Sequence, residues 1–111
     1  VLREKVLGSD HPDTADICAD LAEVYLSTED DARAMELLTS ARQVFERTYS
    51  RSHMRTATTY KLLALVHERK GGTVVARQMA AQAMRTYEES VGAQHPHTVK
   101  AKQKLQHLLE R

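Results

Sequence analysis

The sequence predicts an all-α solenoid of stacked helical hairpins, and three observations carry that prediction. The motif His11-Pro12-Asp13-Thr14 returns as His53-Met54-Arg55-Thr56 and as His95-Pro96-His97-Thr98, with its histidines 42 residues apart each time. A fixed period of this length marks stacked repeats, each a supersecondary unit that cannot bury its apolar face alone. Two Pro and four Gly among 111 residues favour helices joined by short turns over a sheet. Small residues also recur at matching slots, Ala22 with Ala64, Ala34 with Ala76 and Ala41 with Ala83, as close helix crossing requires.

Val1 to Leu7 reads as the last turns of a helix whose beginning is missing, because Glu4 aligns with Glu46 and Glu88, and Leu7 with Tyr49 and Val91. Gly8 and Gly92 fall where helices stop, as suits a residue that accepts the left-handed conformation. The next helix is expected from about Pro12 to Ser27, with Asp10 as N-cap and Asp13 and Asp16 at the positive end of the helix dipole. Its buried stripe is Ile17, Cys18, Leu21, Ala22 and Tyr25. Thr28 to Asp31 is a turn without glycine. A partner helix then runs from about Asp31 to Tyr49, with Ala34, Leu37, Leu38, Ala41, Phe45 and Thr48 inside.

The second copy follows the same pattern. A helix from about Met54 to Lys70, capped by Ser52, buries Tyr60, Leu63, Ala64, Val66 and His67. Gly71-Gly72 turns the chain, and a helix from about Thr73 to Val91 buries Ala76, Met79, Ala80, Ala83, Tyr87 and Val91. The last helix, about Pro96 to Arg111, is more polar: Lys102 takes the slot of Cys18 and Tyr60, and Gln106 that of Ala22 and Ala64. It reads as a C-terminal cap. The expected divisions are residues 1–8 (end of a truncated repeat), 9–50, 51–92 and 93–111.

A net charge of +1 conceals a marked asymmetry. Ser9 to Asp31 holds eight acids and no Lys or Arg, whereas Arg33 to Arg111 holds fourteen Lys and Arg against six acids. Such segregation along a stack creates a field with two ends. No apolar run approaches the roughly 18 residues of a membrane span, and no leader resembles a signal peptide, so a soluble, cytoplasmic chain is expected. Cys18 is the single cysteine, which rules out an intrachain disulfide and points to a small buried hydrophobe.

With Leu21-Ala22, Tyr25, Ala34 and Ala41 in one copy and Leu63-Ala64, Gly71, Ala76 and Ala83 in the next, the chain resembles the tetratricopeptide repeat family. The 42-residue period and the Gly-x-x-His-Pro-x-Thr opening resemble the kinesin-light-chain type. The resemblance implies a right-handed superhelix that presents a concave, protein-binding groove. The family's Asn-Asn pair before Leu-Ala is replaced here by Ala19-Asp20, Lys61-Leu62 and Gln103-Lys104, and the chain contains no Asn.

No catalytic constellation and no cofactor motif is present, and equivalent histidines one helix spacing apart, roughly 8 to 10 Å, are too distant to share a metal. His11, His53 and His95 are read as braces of the inter-repeat turns. The expected function is a protein-interaction scaffold. A regulatory or oligomerisation arm of a larger signalling ATPase or other enzyme is the alternative. Non-specific nucleic-acid binding through Arg42, Arg47, Arg51, Arg55 and Lys61 comes third.

Slots charged in one copy are expected to be open to water in the others. Leu62 shares its slot with Asp20 and Lys104, and Leu65 shares its slot with Glu23 and His107. The expected partner site is therefore an exposed Leu62–Leu65 patch rimmed by Lys61, Arg69, Lys100 and Lys104, suited to an acidic segment with an apolar anchor. Self-association through the repeat ends is also expected, since Leu2, Val6 and Leu7 lack a hairpin partner.

Overall fold

The computed structural model describes residues 12–49 and 53–110, which form five α-helices and no strand among the described residues. They are α1 (Pro12–Ser27), α2 (Asp31–Thr48), α3 (Met54–Arg69), α4 (Thr73–Val91) and α5 (Pro96–Leu109). Each packs chiefly on its neighbours in sequence, giving two hairpins, α1–α2 and α3–α4, followed by the single helix α5. The helical stub at Val1–Leu7, the stop at Gly8, the Asp10 cap, the His11 brace and the Ser52 cap lie outside the described residues.

The turns inside the two hairpins are one structure built twice. In the first, the Glu29 N–H donates to the Leu26 carbonyl (3.2 Å) and the Asp30 N–H to the Tyr25 carbonyl (2.8 Å). In the second, the Gly71 N–H donates to the Glu68 carbonyl (3.1 Å) and the Gly72 N–H to the His67 carbonyl (2.8 Å). This is the Schellman pattern, which needs a left-handed residue just past the helix. Gly71 supplies it at φ 83°, but in the first copy Glu29 is forced to φ 64°. Asp30 then caps α2 by accepting from the Arg33 N–H at 3.4 Å.

Between repeats, the two described histidines of the periodic motif, His53 and His95, are N-caps. The His53 Nδ1 accepts from the Arg55 N–H (3.0 Å), and the His95 Nδ1 accepts from the His97 N–H (3.1 Å). Thr98 completes the joint by donating its hydroxyl to the Gly92 carbonyl at the end of α4 (2.7 Å), and Gly92 stands at φ 94°. His53 also stacks on Tyr49, ring centroids 4.3 Å apart.

Ala22, Ala34, Leu63, Ala64 and Ala76 are all buried, as the repeat register requires. One cluster joins the hairpins through Ala22, Leu26, Ala34, Leu38, Leu62, Leu63 and Val66. Cys18 is buried inside the first hairpin with Ala15, Ala41, Val44 and Phe45. Ala64, Ala76, Ala80 and Leu108 seat α5 on α4. The two buried tyrosines keep polar partners: Tyr60 donates to the Glu46 carboxylate, and the Tyr87 hydroxyl lies 2.8 Å from that of Thr58.

Two expected core positions are corrected. Thr48, in the last turn of α2, is exposed because the apolar load there falls on Val44 and Phe45. Leu21 is 37% exposed, and its neighbour Val24 55%, whereas their period-mates Leu63 and Val66 are 2% and 0% exposed. The difference is positional: Leu63 and Val66 face the preceding hairpin, and no described element covers the same flank of α1.

Three outcomes are expected from this architecture. Replacing Glu29 with Gly relieves the left-handed strain and raises stability by about 1 kcal/mol, while Gly71→Ala lowers it by about as much, read by urea unfolding. Ala64→Trp overpacks the α3–α4 crossing and costs about 1 to 3 kcal/mol in the same assay. The uncovered Leu21–Val24 flank gives concentration-dependent association in sedimentation velocity, and Leu21→Glu with Val24→Glu returns the chain to monomer.

Candidate functional site

The first helices of the successive units, α1, α3 and α5, line up side by side, with α3 in the middle presenting one flank to α1 and the other to α5. Side chains three and four apart on α3 share a face, so two stripes along the helix serve its two flanks. Thr58, Leu62, Leu65 and Arg69 turn toward α1, while Lys61, Ala64 and Glu68 turn toward α5. The residues expected to form one patch are thus separated: Leu62, Leu65 and Arg69 line one trough, Lys61 and Lys104 the other, and Lys100 lines neither.

The first trough, between α1 and α3, is lined by Glu23, Leu26, Ser27, Leu62, Leu65 and Arg69, and continues past Asp20, Met54 and Thr58. Leu65 is half-buried and forms part of its wall. Leu62 is not exposed: at 6% accessibility it belongs to the core joining the hairpins. Equating slots across copies failed here because the copies have different neighbours. Asp20 is exposed at the edge of the trough, and Lys104 sits in its half-buried slot with its charge paired to Glu68.

The positive rim is also reduced. The Arg69 guanidinium donates to the Leu26 carbonyl and to Asp31 Oδ1, both at 2.9 Å, and so ties the second hairpin to the first. Lys104 ties α5 to α3 through Glu68. Lys61 and Lys100 remain exposed without an ion-pair partner among the described residues. Lys61 and Lys104 flank a narrow crevice between α3 and α5, floored by Ala80 and Ala83 of α4.

The arginines that suggested nucleic acid are likewise engaged. Arg55 pairs with Asp16 at 3.1 Å, and Arg42 pairs with Glu46 at 3.6 Å while lying over the Tyr60 ring. Arg47 Nε donates to the Gln43 carbonyl at 3.3 Å, and Arg51 lies outside the described residues.

Two features of this face escaped the sequence reading. Asp20 and Glu23 form an acidic bank on the α1 side of the trough, while the exposed Lys61 and Lys100 lie beyond it on α3 and α5. The clustering of acids before Asp31 was the available signal. At the near end of α5, His97 stacks on Tyr87 with ring centroids 5.4 Å apart. Burial, with His95, Lys61 and Lys100 adding repulsion, holds the His97 imidazole below its ordinary pKa. The Tyr87 phenol is pushed up by burial, partly offset by its hydrogen bond to Thr58, with Glu23 adding to the rise. Among the described residues no cluster of three or more His, Cys, Asp or Glu is arranged to hold a metal ion. No helix among them is long and apolar enough to cross a membrane.

Known proteins agree with this architecture. A family model described as tetratricopeptide repeat matches residues 18–89. The chain is 32% identical, over 96% of its length, to clustered mitochondria protein homologs of Emericella nidulans and Aspergillus niger. It is 31% identical to a homolog of the same name from Aspergillus fumigatus. It spans only 9% of the length of the first two relatives and 8% of the third. The family model spans both hairpins, and the period, turns and alanine-lined crossings recur from copy to copy: the chain belongs to the tetratricopeptide repeat family.

Proposed function

We propose that the chain is a protein-interaction module that holds a segment of a partner protein along the face of α1, α3 and α5. The observation that carries this reading is the α1–α3 trough, an open apolar-walled groove with Asp20 and Glu23 on its α1 side, on a face whose unpaired lysines, Lys61 and Lys100, lie beyond it. Its geometry suits a segment with an apolar anchor against Leu65, acidic residues toward Lys61 and Lys100, and a basic residue toward Asp20 and Glu23. The charge gradient sets the direction in which the segment lies. Arg69 and Lys104 shape the walls, because their charges are already spent on Asp31 and Glu68.

The relatives are named for the clustering of mitochondria, and this chain corresponds to a small portion of them. As part of such a protein it acts as a cytoplasmic scaffold element, binding without catalysis. Nothing in the trough brings a nucleophile and a base together in the manner of an active site.

Selection from a displayed random-peptide library tests the reading. Enriched peptides are expected to carry a large apolar residue with acid on one side and base on the other. Leu65→Glu, which places in this slot the residue type its period-mate Glu23 already carries, is expected to weaken such peptides by more than about tenfold with the helical circular dichroism unchanged. Lys61→Glu with Lys100→Glu weakens them most at low salt, where exposed charges are least screened. Undiminished binding by a folded Leu65→Glu chain places the groove elsewhere.

A further inference from the structure

Resting on the reading of the α1–α3 trough as a groove for a partner segment, we propose that it recognises a second residue besides the apolar anchor. That residue is a lysine or arginine, inserted into the recess beside Asp20 and Glu23, about three positions along the segment from the residue on Leu65.

Three helices build the recess. Ala19 of α1, Met54 of α3 and the buried Phe45 of α2 give it an apolar lining, and Asp20 and Glu23 stand on its α1 side. It encloses about 170 Å³, several times the roughly 30 Å³ share of a water molecule in the liquid. One long side chain therefore fits, with its methylenes against the apolar lining and its charged head at the acids, as lysine and arginine cover apolar surface elsewhere.

The two acids are open to such a guest. Neither has an ion-pair partner among the described residues. Arg55, which also lines the recess, is drawn instead to Asp16, one turn back on α1, at 3.1 Å. A neutral guest would fill the space but take water from the carboxylates without replacing it, and an acidic one would be repelled.

The next joint has no counterpart. One period on, the slots of Asp20 and Glu23 hold Leu62 and Leu65, that of Ala19 holds Lys61, and the crevice between α3 and α5 is narrow and flanked by Lys61 and Lys104. Of the two joints, the α1–α3 one alone suits a cation, which fixes where along the face the basic residue lies. Its distance from the anchor follows from the helices. Asp20 and Ser27 on α1, and Thr58 and Leu65 on α3, are each seven residues apart and mark the recess and the Leu65 end of the trough. That length of helix rises about 10 Å, which an extended segment covers in about three residues.

A displayed random-peptide library, selected in parallel against the 111-residue chain and its Asp20→Lys and Leu65→Glu variants, tests the recess separately from the trough. The unaltered chain is expected to enrich peptides with Lys or Arg three positions from a large apolar residue, above any other spacing. Asp20→Lys puts at an exposed position the residue type its period-mate Lys104 already carries, so the helical circular dichroism is retained. This variant is expected to keep the apolar preference and to exchange the basic preference for Asp or Glu at the same position. For one enriched peptide, changing its basic residue to norleucine weakens binding at least about threefold, and Asp20→Lys does the same. The same peptide with Glu at that position binds the Asp20→Lys chain more tightly than the unaltered one. Apolar enrichment that Leu65→Glu abolishes, with no basic preference at a fixed spacing or none that Asp20→Lys moves, overturns the recess and leaves the trough standing. Enrichment that Leu65→Glu leaves intact, or no enrichment at all, overturns both.

Discussion

The structure depends on the joint between repeats, where one short motif terminates one helix and starts the next. At the α4–α5 joint, the imidazole of His95 caps the incoming helix, the hydroxyl of Thr98 satisfies the Gly92 carbonyl of the outgoing one, and Gly92 itself turns through a positive φ. Helix ends leave backbone groups without partners, and a solenoid multiplies such ends. Placing a donor and an acceptor three residues apart solves both halves of the problem at once. It also sets the angle at which each hairpin leaves its predecessor, and so the alignment of α1, α3 and α5 on one face.

The ties between hairpins are of a second kind. Alanines at matched slots let helices approach closely, and Arg69 and Lys104 then bind each unit to the next through Asp31, the Leu26 carbonyl and Glu68. Partly exposed ion pairs contribute little stability individually. Their effect on the surface is larger, because each removes a cation that would otherwise face a partner. What is left is a face whose open charges, Asp20 and Glu23 at one side and Lys61 and Lys100 at the other, were never drawn into the packing.

The two copies also show how a repeat tolerates imperfection. Glu29 occupies a left-handed position that its counterpart Gly71 fills without strain, yet the hydrogen bonds of the two turns agree closely. The turn is imposed by the packing of the helices on either side, which outweighs a local cost of about 1 to 2 kcal/mol.

The sequence by itself determined the fold class, the repeat period, the helix boundaries to within a residue or two and the buried alanines, because each of these follows from local periodicity and side-chain size. Only the tertiary structure decided that Leu62 is core, that Leu21 is open, that Arg69 and Lys104 are occupied, and that the six expected site residues do not form one patch. Repeat alignment equates residues by position within a unit, whereas burial and charge pairing depend on which units stand on either side. Equivalent slots have equivalent environments only in the middle of a long array, and in this chain every described helix lies within two of an end of the described stack.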